Sequence, residues 1–211
     1  MRHPGCHVAR AHPGSERLHN AAVEQTGRIA LRPERGGDER AVRALVEAAF
    51  VGEPVVGELV DALRRSPDWV PGLAFVAELE GEIVGHILFT RSLLDAPRKL
   101  VEVLVLSPVS VAPDHQRQGV GTTLIRHGLK EVGRLPDEPL IFLEGAPGYY
   151  ARFGFEPAER IGFRRPSLRI PEPAFQVVRL PAWEPWMTGT LVYSRVFWDL
   201  DCVGLRTDGD R

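Results

Sequence analysis

The fold of this chain is decided by the stretch Val109-Ser110-Val111-Ala112-Pro113-Asp114-His115-Gln116-Arg117-Gln118-Gly119-Val120-Gly121-Thr122-Thr123-Leu124-Ile125. The aliphatic and β-branched residues that lead into it, from Val101 to Val111, predict a buried strand. Pro113 has no N–H to donate to a ladder, so it ends that strand. After Gly121 the apolar residues recur at helical spacing. The stretch therefore predicts a strand, a glycine-rich loop and an amphipathic helix, in that order.

The loop between this strand and helix has the features of an anion-binding site. Gly119 and Gly121 carry no side chains that would keep a ligand away from the backbone. The first N–H groups of the helix have no internal partner, and the helix dipole adds positive potential there. A pyrophosphate fits such a terminus, and Arg117 can add a charge-assisted hydrogen bond. The alternative is a tight strand-to-helix connection in which the glycines serve packing alone.

The spacing of the loop residues decides which of three known phosphate-binding motifs this loop matches. The P-loop requires a lysine after its last glycine, and the dinucleotide fingerprint requires a third glycine where Leu124 stands. The pattern Gln/Arg-x-x-Gly-x-Gly/Ala matches in full at Gln116, Gly119 and Gly121. On these residues the chain resembles the GNAT N-acetyltransferases. The sequence of this stretch, together with Gly85-His86-Ile87-Leu88-Phe89 upstream, is most similar to the YhbS-like branch of that family.

A second motif of the same family follows about thirty residues later, and two ordered motifs are far more specific than one. It is Phe/Tyr-Tyr-x-x-x-Gly-Phe, with Tyr150 at the tyrosine position and Gly154-Phe155 at its end. Pro147 suits the first turn of a short helix here, and Gly154 suits its end.

The resemblance implies an α/β (α+β) fold with a mixed, mostly antiparallel central sheet. We expect six to seven strands, helices on both faces, and a splay between the fourth and fifth strands. Pro108 interrupts the fourth strand and marks a bulge or an edge, which is consistent with that splay. The expected organisation is a disordered extension over residues 1–27, one domain over 28–200, and a polar tail over 201–211.

The resemblance also implies acetyl-CoA as the co-substrate. Its pantetheine arm would pair with the free edge of the fourth strand, its carbonyl would meet a backbone N–H near Ser110 or Val111, and its pyrophosphate would meet the loop. The residues expected to bind it are Val109, Ser110, Val111, Gln116, Arg117, Gln118, Gly119, Val120, Gly121 and Thr122.

Direct attack of an amine on acetyl-CoA leaves two proton transfers to explain. Tyr150 is the candidate acid for the departing thiolate, because a phenol donates at neutral pH. The alternative is a packing tyrosine in an aromatic motif. Many family members carry a glutamate as base at the position of Ser107. Ser107 could hold a water but is itself a poor base, so Glu102 and Glu144 stay open as substitutes.

By the same resemblance, the junction of the first two helices, Phe50 to Val56, would border the acceptor, with Trp69 either beside it or covering the core. Trp183 and Trp186 either line an acceptor pocket or cap the core. His86, on a strand, is expected to be a core histidine rather than a base.

Composition limits the function classes. A net charge of −2 gives no case for a nucleic-acid or membrane surface, and no apolar run approaches the ~20 residues of a membrane span. The N-terminal residues lack the apolar core of a secretory signal peptide. Cys6 and Cys202 are too few and too far apart in sequence to indicate a disulfide framework, so we expect a cytoplasmic protein. No metal is expected, because the N-terminal histidines fit no ligand spacing. These are His3, His7, His12 and His19.

The sequence thus predicts an acetyl-CoA-dependent N-acetyltransferase that acts on a primary amine, either a small molecule or a protein. The alternative is a non-catalytic acyl-CoA-binding sensor or interaction domain on the same fold. Tyr150 argues against this alternative, and the serine at position 107 argues mildly for it. The oligomeric state is left open, with a homodimer as one alternative.

Overall fold

The computed structural model describes residues 29–204. The extension expected over residues 1–27 and most of the expected tail lie outside the described residues. The elements are β1 (Ala30–Pro33), α1 (Glu39–Ala49), α2 (Pro54–Arg64), β2 (Trp69–Leu79), β3 (Glu82–Asp95), β4 (Leu100–Val111), α3 (Val120–Val132), β5 (Leu140–Glu144), α4 (Pro147–Tyr150), β6 (Glu156–Pro157), β7 (Phe163–Arg164), β8 (Phe175–Arg179), β9 (Gly189–Val192) and α5 (Arg195–Asp199).

One mixed sheet holds all the strands. Its order is β1-β2-β3-β4-β5-β8-β6, and β9 pairs with both β3 and β7. Within residues 29–204 only the β4–β5 and β7–β9 pairs are parallel. Seven strands have four or more residues, as expected, and the two-residue strands β6 and β7 raise the total to nine. The predicted mixed, mostly antiparallel sheet is confirmed.

Helices cover both faces of the sheet. Successive strand residues point to opposite faces, and the clusters follow this alternation. Phe75 packs with the inner face of α3, whereas Val76 packs with α1 and α2. We call these two sides the α3 face and the α1/α2 face. Of the apolar residues at helical spacing in α1, Val42, Leu45 and Val46 are buried, and Ala49 near the end of the helix is half-buried.

The β2–β3 hairpin turns at Glu80-Gly81, an acidic residue and a glycine between two apolar runs. Both residues have positive φ angles, 53° and 86°, which the favoured two-residue hairpin turn requires. Strand β3 is long and continues to Asp95, beyond the segment that pairs with β2. Leu93 to Asp95 pair with β4 on one edge and β9 on the other, and these long-range bonds extend the strand.

Strands β4 and β5 diverge after a short paired segment. They bond as a parallel pair only at Leu104↔Ile141 and Val105↔Phe142. Beyond that point β4 continues to Val111 with its other edge still on β3. The β3–β4 register shifts opposite Pro108, which is the bulge that the proline predicted. The wedge-shaped opening beyond Val105 and Phe142 is called the β4–β5 gap below.

The packed core extends to the end of the described chain. Cys202 and Val203 are buried against the same cluster as Phe197, beyond the expected domain end at Leu200. Trp183 and Trp186 also pack on this cluster. The guanidinium of Arg179 lies over the Trp183 ring and that of Arg98 over the Trp186 ring, so both tryptophans cap the core.

Candidate functional site

The loop from β4 to α3 is shaped by its own glutamines. Gln116 Nε2 donates to the Val111 carbonyl at 3.1 Å, and Gln118 Nε2 donates to the Asp114 carbonyl at 2.7 Å. Gly119 precedes the helix with a φ of 92°, a conformation that L side chains rarely adopt. The loop therefore turns sharply into α3 and leaves residues 116–119 exposed to solvent.

The N-terminus of α3 opens beside this loop. The first helical bond runs from the Thr123 N–H to the Gly119 carbonyl at 2.9 Å. The N–H groups of the preceding turn have no acceptor within the helix and are available to an anion. They belong to Val120, Gly121 and Thr122.

Tyr149 lies against the same helix terminus and Arg152 packs on Tyr149; sequence reasoning did not single out either residue. A Cβ added at Gly121 would lie 3.0 Å from the Tyr149 hydroxyl. The Arg152 guanidinium lies 4.2 Å from the centre of the Tyr149 ring, and its Nε donates to the Tyr149 carbonyl. A cation therefore lies close to the anion site. Only the packing of α4 against α3 reveals it, because the two residues are distant from the loop in sequence.

The edge of β4 that faces the gap is uncovered. In residues 29–204, no strand pairs with this edge beyond Val105. Val109, Ser110 and Val111 pair with β3 on the opposite edge, opposite Ile87, His86 and Gly85, and the Val111 carbonyl also accepts from Gln116. An extended strand directs its backbone groups alternately to both edges, so part of this segment presents N–H and C=O groups to the gap.

Tyr150 is fully buried on the α3 face. A Cβ at Gly145 would overlap its ring, so this glycine makes room for the aromatic side chain. Its hydroxyl has no hydrogen-bond partner within the described chain. Burial raises the pKa of Tyr150 well above its usual range, and the phenol therefore stays protonated at neutral pH.

The three positions considered for the base lie in different places. Glu102 pairs with Leu93, on the closed side of the β4–β5 junction, and its side chain is 74% exposed beside Arg91. Its place on the closed side of this junction argues against it as the base. Ser107 and Glu144 both lie just inside the gap, each two residues beyond a paired residue.

Glu144 is a partly buried carboxyl that accepts hydrogen bonds, and no ion pair joins it to a cation within residues 29–204. The Tyr193 hydroxyl donates to Glu144 Oε1 at 2.8 Å, and the Gly204 N–H also donates to this carboxyl. Burial raises the pKa of Glu144 to about 7, although these two bonds and the charge of Arg169 oppose the rise. Arg169 forms its ion pair with Asp201 at 2.9 Å.

His86 is a core histidine, as expected. It is fully buried, and its Nε2 lies 2.8 Å from Glu34 Oε2. Because a carboxylate can only accept, Nε2 carries the proton in this bond. Arg64 lies 2.7 Å from the other oxygen of Glu34. The cluster fixes the start of α1 against the sheet.

Within residues 29–204, no group of three histidine, cysteine or acidic side chains is placed to hold a metal ion. None of the helices in this part of the chain combines the length and the apolar character needed to cross a membrane. The α1–α2 junction leaves Val51 exposed, while Phe50 packs on the core and Trp69 covers its edge.

Comparisons with known proteins agree with this geometry. The family described as the acetyltransferase (GNAT) domain matches residues 30–158. The Escherichia coli K12 protein named uncharacterized N-acetyltransferase YjhQ is 38% identical over 112 residues, which are 53% of this chain and 61% of YjhQ. The match therefore spans less than two thirds of that relative.

Two solved structures resemble the whole described fold. The GNAT family N-acetyltransferase YhbS of Escherichia coli, in complex with CoA, has a TM-score of 0.73 at 25% identity and covers 84% of this chain and 96% of its own. A GNAT family acetyltransferase of Brucella melitensis, in complex with acetyl-CoA, has a TM-score of 0.65 at 32% identity and covers 82% and 99%. With the matched domain, the two motifs and the splayed sheet, this chain belongs to the GNAT acetyltransferase family.

Proposed function

We propose that this protein transfers an acetyl group from acetyl-CoA to a primary amine by direct attack in a ternary complex. The observation that carries the proposal is the β4–β5 gap: β4 borders it as far as Val111, and the loop that follows leads into the N-terminus of α3, whose free N–H groups suit an anion. A linear thioester with a pyrophosphate matches these two features together. The complexes of YhbS with CoA and of the Brucella melitensis protein with acetyl-CoA support this co-substrate.

The binding residues have separate tasks in this proposal. Val109, Ser110 and Val111 offer backbone groups to the pantetheine amides, as a neighbouring strand would. The N–H groups from Arg117 to Thr122 receive the pyrophosphate, with Arg117 and Arg152 as nearby cations. Gln116 and Gln118 act indirectly, because their amides hold the loop in shape.

Most of the acceleration would come from holding the thioester and the amine together. Well-oriented reactants contribute about 7–11 kcal/mol through lost translational freedom alone. Tyr150 is the proposed acid for the CoA thiolate. Its buried hydroxyl lacks a protein partner and stays protonated, so the sulfur of the co-substrate is a suitable acceptor. Ser107 lies just inside the gap, where it could hold a water.

The acceptor is a primary amine on a small molecule or a protein. Acetyl-CoA as co-substrate favours a cytoplasmic location. A homodimer remains compatible with the proposal.

Calorimetric titration with acetyl-CoA tests the binding half of the proposal. We expect Gly121→Glu to abolish binding, because it puts a bulky anion where the phosphates lie and crowds Tyr149. Gly36→Glu is the matched control, since an added Cβ there meets no atom within 4 Å. Unchanged affinity in Gly121→Glu would contradict the assignment of the loop.

A thiol-release screen over small amines and peptide amines tests the transfer half. We expect Tyr150→Phe to lower turnover on the order of 100-fold with acetyl-CoA affinity retained, because general acids contribute about that much. Full turnover in this variant would remove Tyr150 as the acid. Binding of acetyl-CoA without turnover on any amine would instead favour a sensor domain.

A further inference from the structure

Resting on the proposed function, we propose that Glu144 is the base that takes the proton from the acceptor ammonium group, and that Tyr193 positions it. The family places this carboxylate on the fourth strand, at Ser107 here. The present chain carries it across the gap, at the end of β5.

The strand register puts the two positions at the same level. Val105 and Phe142 are the last bonded pair before β4 and β5 diverge. Two residues further along each parallel strand lie Ser107 and Glu144, about 7 Å beyond that pair at about 3.3 Å per residue. Both residues therefore flank the narrow end of the gap, so the proposal puts the thioester deeper along β4 than the expected carbonyl contact near Ser110 or Val111, with Val109 to Val111 holding the pantetheine amides.

The side-chain alternation puts the base and the acid on opposite faces. Phe142 packs in the cluster that contains Tyr193, and Leu143 packs in the cluster that contains Tyr150. Glu144 shares a face with Phe142, so it lies on the α1/α2 face, whereas Tyr150 lies on the α3 face. An amine entering from one face and a thiol leaving toward the other would meet these two groups in turn.

The surroundings keep Glu144 rigid and without a counter-ion. Strand β5 is bonded to β8 along its whole length, with Glu144 opposite Phe175, and the Gly145 carbonyl accepts from Gln176 at 3.0 Å. Within residues 29–204 no ion pair joins Glu144 to a cation; its side-chain partner is the neutral Tyr193 hydroxyl. A carboxyl that burial shifts toward neutral pH is suited to exchange protons there.

The proton balance closes with the groups present. Glu144 takes one proton from the ammonium group, and the free amine forms the C–N bond at the thioester carbonyl. The C–S bond then breaks, and the thiolate takes the phenolic proton of Tyr150. The new amide nitrogen loses its excess proton, which restores Tyr150, and Glu144 releases its proton to solvent. The products are an N-acetylated amine, CoA thiol and one proton.

The pH dependence of kcat/KM in Glu144→Gln tests the inference. Wild type should lose activity as the pH falls through about 7, because the carboxylate is the active form. The variant should lose at least about 100-fold near pH 7, lack that acidic limb, and recover as rising pH deprotonates the free amine. Its acetyl-CoA affinity should match wild type. Glu102→Gln is the control, an exposed glutamate whose loss should leave the profile unchanged.

Three results would overturn the inference. Equal activity in Glu144→Gln and wild type would remove Glu144 while leaving the acetyltransferase intact. An unchanged acidic limb in a slower variant would make Glu144 structural. A wild-type protein that binds acetyl-CoA but acetylates no amine would overturn the inference and the proposed function together. Melting temperatures of both variants separate these outcomes from misfolding.

Discussion

Two buried carboxyls of this protein, Glu34 and Glu144, differ in what surrounds them. Glu34 lies between Arg64 and His86, at 2.7 Å and 2.8 Å, with a side chain that is 4% exposed. Burial raises its pKa, but the bonds from His86 and Arg64 outweigh burial and lower it overall. Glu144 receives only neutral donors, and burial raises its pKa to about 7.

The difference is what separates a structural carboxyl, Glu34, from the base that we propose, Glu144. Glu34 stays ionised and connects the chain after β1 to α2 and β3, so its charge is satisfied within the fold. Glu144 lies at the end of β5, beyond the last β4–β5 pair, where burial raises its pKa to about 7 and its bonded partners are the Tyr193 hydroxyl and the Gly204 N–H. Such an unmatched carboxyl at a ligand site is typical of acid–base catalysis.

Substitution by glutamine at Glu34 and at Glu144 should change the free energy of unfolding in opposite directions, and the larger change is expected at Glu34. Glu34→Gln should lower the free energy of unfolding by about 4 kcal/mol, because it leaves Arg64 buried without its full countercharge. Urea denaturation at neutral pH measures the loss. Acetyl-CoA affinity of the folded fraction should be unchanged.

Glu102→Gln again serves as the reference, since an exposed glutamate should change stability by less than about 0.5 kcal/mol. If the Glu34→Gln protein were as stable as this control, the claim that Glu34 stabilises the fold would be contradicted.

Glu144→Gln should change stability in the opposite direction. An unfolded glutamate loses its proton near its model value of 4.5, and the folded one near 7. Between these values the unfolded state binds fewer protons, so wild-type stability falls as the pH rises. The Glu144→Gln variant has no carboxyl to ionise at this position, so its stability does not fall in this way. Its free energy of unfolding should exceed that of wild type by on the order of 3 kcal/mol at pH 8 and by nothing at acidic pH. Parallel urea titrations at both pH values measure it, and a pH-independent difference would contradict the assignment.

Removal of the donor to Glu144 gives the smallest expected effect. Tyr193→Phe deletes a bond that lowers the pKa of Glu144, so the acidic limb of kcat/KM should move to higher pH. Activity near pH 7 should fall about tenfold, since a hydrogen bond to a charged group contributes about 1.5 kcal/mol. The plateau at high pH should approach the wild-type value. An unmoved limb would mean that Tyr193 only packs against Phe197.

The parts of the site that sequence predicts are those determined by local chemistry. Gly119 and Gly121 permit one strand-to-helix turn, Pro113 ends β4, and Pro108 marks the bulge beside the gap. Each conclusion rests on backbone constraints within a few residues. The position of the loop follows from these constraints, whereas the fold class is what the resemblance to the GNAT family implied.

The parts that sequence misses depend on contacts between distant segments. The bond from Tyr193 to Glu144 joins residues 49 positions apart, and that from His86 to Glu34 joins residues 52 apart. Sequence left Glu102 and Glu144 equal as substitutes for the absent glutamate. Only the β4–β5 register puts Glu144 at the gap and Glu102 on its closed side. The place of Arg152 beside the loop likewise depends on how α4 packs.

The most direct test of the contrast is a carbon-13 NMR titration of the glutamate carboxyls, with Glu34 and Glu144 assigned from their glutamine variants. The account predicts that Glu144 titrates at about 7 and that Glu34 titrates below its usual value of 4.5 in the same protein. If both carboxyls titrated together near 4.5, Glu144 would be an ordinary surface-like acid, and its role as the base would be contradicted.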